Sequence, residues 1–263
     1  MEQRVALITG GSRGIGRAIA AALHAQGHRV AVTGRDREKL REVRESLPGV
    51  LTLEADVADP ARTRDVVDEV SESLGPVDVL VNNAGTGGSA APLPFMDMDP
   101  AAWWGALETN LRGPMLYSHA VIPGMIDRGF GVIVNVGSYM AIRPTGSATA
   151  YAASKAALAR FTDCLAEDLK DTGVQVFCLS PGLVLTDMTR DMPFIKHVPE
   201  SAFNQPEDVA ARICQLAGGG YAALSGLFLH VVDDMDEQLE NADRIHAESL
   251  HTLRLHGLEG LIP

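Results

Sequence analysis

The sequence has little of what marks several large classes of protein. It holds three cysteines, Cys164, Cys178 and Cys214, with neither the close spacing nor the paired histidines of a zinc site. No metal is therefore expected. Cys178 lies in an apolar run and reads as a buried free thiol, and an odd thiol count suits a reducing, cytoplasmic setting. Basic residues are outnumbered, 22 Lys and Arg against 34 Asp and Glu, for a formal charge of −12. Binding a phosphate backbone needs clustered cations, so no nucleic-acid partner is expected and the acidic surface reads as solubilising. No apolar run approaches the ~18 residues of a membrane span. The opening Met1-Glu2-Gln3-Arg4 lacks the order of a secretion signal, and Leu261-Ile262-Pro263 carries no lipidation box. There is no repeat and no Pro/Ser-rich linker, so one domain over residues 1–263 is expected.

What is present is an alternation. Short apolar runs at 5–9, 30–33, 50–53, 77–81, 132–136, 174–179 and 227–232 read as strands. Between them, 15–23, 36–45, 60–74, 101–128, 150–172 and 206–217 read as helices, the long one bent at Pro114. Continuously apolar strands alternating with helices predict an α/β fold, a doubly wound, Rossmann-like parallel sheet of about seven strands. Two stretches stand outside the alternation: 187–204, a candidate lid, and the tail 233–263.

The first strand runs into Thr9-Gly10-Gly11-Ser12-Arg13-Gly14-Ile15-Gly16 and then a helix. A glycine-rich turn there lets backbone approach a pyrophosphate, and the helix N-terminus offers unpaired amides. The spacing departs from the common G-x-G-x-x-G, and alone it could be a turn without a ligand. Tyr151 and Lys155 stand four apart on one helix face, where an ammonium can stabilise a phenolate.

In order along the chain come this loop, Asn82-Asn83-Ala84-Gly85, Asn110, Ser138, Tyr151-Ala152-Ala153-Ser154-Lys155, Pro181-Gly182 and Thr186. The set, over about residues 4–232, resembles the short-chain dehydrogenase/reductase family. The resemblance implies an enzyme that moves a hydride between a nicotinamide cofactor and a ketone or secondary alcohol. It implies Tyr151 as proton donor, Lys155 holding the nicotinamide ribose, Ser138 binding the substrate oxygen and Asn110 holding a relay water. It assigns the cofactor to Gly10, Ser12, Arg13, Gly14, Ile15, Gly16, Asp56, Val57, Asn83, Ala84, Gly85, Pro181, Gly182, Val184 and Thr186, with Tyr151 and Lys155. Asn110 could instead be a helix-kink residue, and Thr186 could also cap a lid helix. After the second strand, where NAD enzymes place an acid, stand Gly34 and Arg35. Arg35 and Arg13 around one 2′-phosphate predict NADP(H), unless both are solvated surface residues. Asp36 reads as a helix cap. A non-catalytic NADP(H) sensor and an isomerase or lyase on this fold are the alternatives, although a sensor usually lacks the tyrosine or lysine.

Met140, Ile142, Met188, Met192, Phe194 and Ile195 are candidate substrate contacts, and no Arg or Lys apart from Arg143 and Arg190 is expected to face the pocket, which suggests an apolar or polycyclic small-molecule ketone rather than a small carboxylate. Trp103 and Trp104 read as helix packing. The tail replaces the family's terminal glycines with Asp233-Asp234, and Leu239, Ala242, Ile245, Leu250 and Leu253 predict an amphipathic helix over 237–255. It could brace its own subunit, contact another, or cover the substrate cleft. His246, His251 and His256 share no helix face and are not expected to bind metal. The resemblance implies a homodimer or homotetramer packed through the helices around Asn110 and Lys155.

Overall fold

The computed structural model describes residues 2–89, 92–190 and 192–254, with backbone alone at 193–194, 256–257 and 260–261. The apolar runs form β1 (Val5–Ile8), β2 (Arg29–Gly34), β3 (Leu51–Glu54), β4 (Val79–Asn82), β5 (Gly131–Val136), β6 (Val174–Ser180) and β7 (Phe228–His230). They make one seven-stranded sheet, ordered β3-β2-β1-β4-β5-β6-β7. All pairings are parallel. Every residue of β1, β4, β5 and β6 is buried, as expected for a sheet covered on both faces. The strand order reverses between β1 and β4, which opens a crevice at their carboxyl ends.

Helices α1 (Gly14–Ala25), α2 (Arg37–Ser46), α3 (Pro60–Leu74), α4 (Pro100–Leu107), α5 (Gly113–Arg128), α6 (Thr149–Asp168) and α7 (Pro206–Ala217) flank the sheet. One core lies between the sheet and α1 and α7, around Ile8, Ile19, Phe177 and Ile213; the other lies under α3 and α5, around Leu7, Val66, Tyr117 and Ile133. Caps set several boundaries. The Asp59 carboxylate accepts from the Ala61 and Arg62 amides, with Pro60 behind it. Asp36 accepts from the Glu38 and Lys39 amides, in the capping role expected of it.

Three boundaries differ from expectation. The long helical region runs unbroken as α4, a π-helical turn over Glu108–Arg112 and α5, with Pro114 just after the π-helical turn. Helix α6 ends at Asp168 rather than near 172, in a turn where Asp171 is left-handed (φ 63°). The tail is not one helix over 237–255. It forms α8 (Met235–Glu240), capped by Asp234, and α9 (Ala242–Ala247). Ser249 (φ 53°) and the Leu250 N–H to Ile245 carbonyl bond (2.8 Å) stop the second helix as a glycine would. Leu255 lies outside the described residues.

The tail runs along the exposed edge of the sheet. The Phe228 amide donates to the His251 carbonyl (2.8 Å), and His251 Nδ1 meets the Phe228 carbonyl (3.0 Å). Arg160 of α6 donates to the Leu253 carbonyl, and Arg254 pairs with Asp163 at 3.1 Å. Met235, Ala242 and Ile245 are buried, while Leu239 and Leu250 stay exposed. Covering β7 in this way hides edge groups that would otherwise pair with another chain.

Candidate active site

The crevice is a cavity of about 750 Å³. Its floor is the turn from β1 into α1. Gly10 has φ 65°, and a Cβ on Gly16 would sit 2.4 Å from the Gly10 carbonyl oxygen, so the turn closes only with glycine at these positions. Helix α1 has no side-chain cap, which leaves its first amides open toward the cavity. The Thr9 hydroxyl accepts from the amides of Asn83 and Ala84 (both 3.1 Å), and Asn83 Nδ2 donates to the Thr9 and Gly10 carbonyls (3.0 and 3.1 Å). These bonds lock the turns after β1 and β4 together.

At the far end, β5 delivers Ser138 and α6 delivers Tyr151 and Lys155. The Ser138 hydroxyl accepts from the Met140 amide (3.2 Å). Burial raises the pKa of Tyr151, and the Ser138 side chain within hydrogen-bonding reach pulls it back. Lys155 is 4% exposed, and its ammonium donates to the Val136 carbonyl at 2.7 Å. Burial pushes its pKa down to about 8. The ammonium lies 5.7 Å from the Tyr151 ring centre. This group can donate a proton to a bound oxygen, stabilise the phenolate left behind, and hold that oxygen through a hydroxyl.

Asn110 sits in the π-helical turn behind this group. Its Oδ1 accepts from the Thr86 amide, and Nδ2 donates to the Thr86 carbonyl (both 2.8 Å) and the Ser154 hydroxyl (2.9 Å). Ser154 passes the bond to the Tyr151 carbonyl at 2.7 Å. Both ends of the Asn110 side-chain amide thus tie the 86 turn to α6.

The other end carries Arg35, Asp56 and Val57. Arg35 lies 3.8 Å from the Asp56 carboxylate, while Arg13 pairs across the mouth with Asp187 at 3.2 Å. The segment after β6 is pinned at both ends. The Thr189 hydroxyl donates to the Val184 carbonyl (2.7 Å), and the Asn204 amide donates to the Leu183 carbonyl (2.9 Å). Thr186 opens a turn, its carbonyl accepting from the Thr189 and Arg190 amides (3.0 and 2.8 Å).

The chain matches the short chain dehydrogenase family over residues 4–193. The chain belongs to that family. A short chain dehydrogenase of Pseudocercospora fijiensis is 38% identical over 192 residues, 72% of this chain and 62% of that protein. An acetoacetyl-CoA reductase of Rhizobium meliloti is 36% identical over 85% of this chain and 94% of its own length. A gluconate 5-dehydrogenase of Burkholderia cenocepacia, solved in complex with NADP and tartrate, superposes with a TM-score of 0.78. It is 29% identical and covers 88% of this chain and 94% of its own.

In this short chain dehydrogenase the structure brings the sequence-predicted residues together. Gly10, Ser12, Arg13, Gly14, Ile15, Gly16, Arg35, Asp56, Val57, Asn83, Ala84, Gly85, Ser138, Tyr151, Lys155, Pro181, Gly182, Val184 and Thr186 all line the one cavity. Asn110 does not reach it and stands behind Gly85. The substrate candidates divide: Met188 lines this cavity, whereas Met140 and Ile142 line a neighbouring cleft. The Phe194 side chain lies outside the described residues. Sequence reading missed Lys39, which lines the cavity beside Arg35 and pairs with Glu42 at 2.8 Å. Its spacing of four from Arg35 at a helix start was the available signal. Thr9 and Ser154, which lock the turns, carry no such signal.

Proposed function

We propose that this short chain dehydrogenase moves a hydride between NADP(H) and a ketone or secondary alcohol, with Ser138, Tyr151 and Lys155 at the reacting oxygen and Asn110 behind them as the relay residue. The observation that carries the reading is the convergence of Ser138, Tyr151 and a buried Lys155 at one end of a glycine-floored cavity. The open amides of α1 suit a pyrophosphate. The cofactor would supply the hydride to the carbonyl carbon. Ser138 holds the carbonyl oxygen as charge builds on it, and Tyr151 delivers the proton to that oxygen. Lys155 stabilises the resulting phenolate and is placed to hold the nicotinamide ribose. Gly10, Gly14 and Gly16 would admit the pyrophosphate, Asp56 and Val57 would hold the adenine end, and Thr186 with Val184 the nicotinamide end.

NADP(H) is favoured over NAD(H) because Arg35, Arg13 and Lys39 all line the cavity. At the mouth of the cavity Arg35 lies 3.8 Å from Asp56 and Arg13 3.2 Å from Asp187. Arg35→Ala is expected to weaken NADPH binding by ~1–3 kcal/mol, the scale of a hydrogen bond to a charged group, with little change for NADH. Titration of both cofactors checks this, and equal losses would remove Arg35 from reading the phosphate. The reaction itself is tested by NADPH oxidation against a panel of aliphatic and polycyclic ketones; turnover of none would sink the reading.

The segment 187–204 is read as a substrate lid, the whole chain as one catalytic domain, and the cytoplasm as its setting. No helix among the described residues is long and apolar enough to cross a membrane. A homodimer or homotetramer through α5 and α6 follows the family resemblance and suits the exposure of Met115 and Ile126 on α5. Light scattering at micromolar concentration is expected to give a dimer or tetramer mass; a monomer alone would contradict it.

A further inference from the structure

A second cleft, of about 1170 Å³, opens between the turn after Ser138 and the C-terminal segment. It lies next to the catalytic group in the chain: Tyr139 and Met140 follow Ser138, and Ala152 follows Tyr151, although the two cavities share no lining residue. Met140, Ile142 and Leu250 make it apolar, and Ala152, Ala153 and Ala156 keep its α6 side shallow.

Charged and imidazole groups ring this apolar floor. Arg143 stands 5.1 Å over the Tyr139 ring and has no carboxylate partner among the described residues. Arg254 on the opposite wall shares Asp163 with Arg160. The lining acid, Asp233, is taken up by the His230 amide at 2.7 Å. His230 Nδ1 accepts from the Val232 amide (3.3 Å), so the neutral ring carries its proton on Nε2 and is a donor there. His251 is held left-handed (φ 56°) by its paired bonds to Phe228, a costly posture that fixes its ring in the lining. In a chain of net charge −12, this is an apolar trough edged by cationic and donor groups.

We propose that this cleft holds the distal end of the carbonyl substrate, a carboxylate carried on an aliphatic body, with Arg143 as its principal partner. The assignment rests on the reductase reading for the other end of the same molecule. An arginine can grip a carboxylate through two parallel N–H bonds, and Arg143 is the cation here not already engaged by an acid. The apolar floor takes the chain, and the carbonyl reaches Ser138 and Tyr151 past their chain neighbours Tyr139 and Ala152.

Two measurements test this. The first compares a medium-chain methyl-ketone carboxylic acid with its methyl ester as substrates. The wild type is expected to show a KM at least ~10-fold lower for the acid, the size of one charge-assisted hydrogen bond. Arg143→Met should collapse that ratio toward unity, and Arg143→Lys, which keeps the charge, should retain most of it. The second is calorimetric titration with decanoate, which needs no turnover. It should bind the wild type and bind Arg143→Met at least ~10-fold more weakly. A wild-type ratio near unity, or a ratio or a decanoate affinity unchanged by Arg143→Met, overturns the assignment. If no ketone is reduced at all, the reductase reading fails and the decanoate titration decides the cleft by itself.

Discussion

Tyr151→Phe is expected to cut turnover at least ~10²-fold while leaving NADPH affinity within about twofold. The substitution deletes one oxygen and nothing else. The ring keeps its place above the Lys155 ammonium, and Lys155 keeps its bond to the Val136 carbonyl. What disappears is the proton for the carbonyl oxygen and the partner of Ser138. Because burial raises the Tyr151 pKa, the free protein holds a protonated phenol through neutral pH, the form that reduction consumes. Ser138→Ala is expected to fall less, since the phenol remains. Steady-state kinetics with a responsive ketone and a fluorescence titration of NADPH separate the two effects. Turnover of the phenylalanine variant within tenfold of the wild type would take Tyr151 out of the chemistry.

The sequence made most of this legible where local rules act alone. Buried strands read as continuous apolar runs because a sheet covered on both faces has no polar side. Helices α3 and α7 have the expected bounds because proline opens each one. The cavity residues sit where strands end, so their order along the chain located them once the sheet order was known. Three features were hidden. The π-helical turn that carries Asn110 was legible only as a bend near Pro114, since the sequence does not say which kind of irregular turn a helix takes there. The tail looked like one helix because Ser249 and His251, not glycines, adopt the left-handed backbone that stops it. The Arg13–Asp187 pair joins residues 174 apart, which no local pattern reveals. The same limit hid the division of Met140 and Ile142 from Met188, which only the path of the tail decides.

Lys155→Met is expected to move stability and function in opposite directions. Function should be lost on two counts: the phenolate of Tyr151 loses its ammonium, and the ribose its anchor, so turnover falls at least ~10²-fold and NADPH affinity falls with it. Stability at pH 7 should rise. The folded pKa of Lys155 is about 8 against 10.5 for an unburied lysine, because burial disfavours the charge. Each pKa unit is worth about 1.4 kcal/mol, which makes the buried ammonium a penalty of ~3 kcal/mol at neutral pH. Methionine removes that penalty but leaves the Val136 carbonyl without its donor, a loss of ~1 kcal/mol. The net gain is ~2 kcal/mol at pH 7. The sign of the pH dependence follows from the protons bound. Below pH 8 the lysine is charged in both states and the penalty is complete. Between pH 8 and 10.5 the unfolded chain holds the proton and the folded chain does not, so wild-type stability climbs with pH. The advantage of the methionine variant should therefore shrink across that window and vanish or reverse by its upper end. Urea midpoints for both proteins at pH 7 and at pH 10 read this directly. An advantage that stayed constant with pH would mean that the ammonium is not penalised in the fold, and that Lys155 is held at the site without the strain of a buried charge.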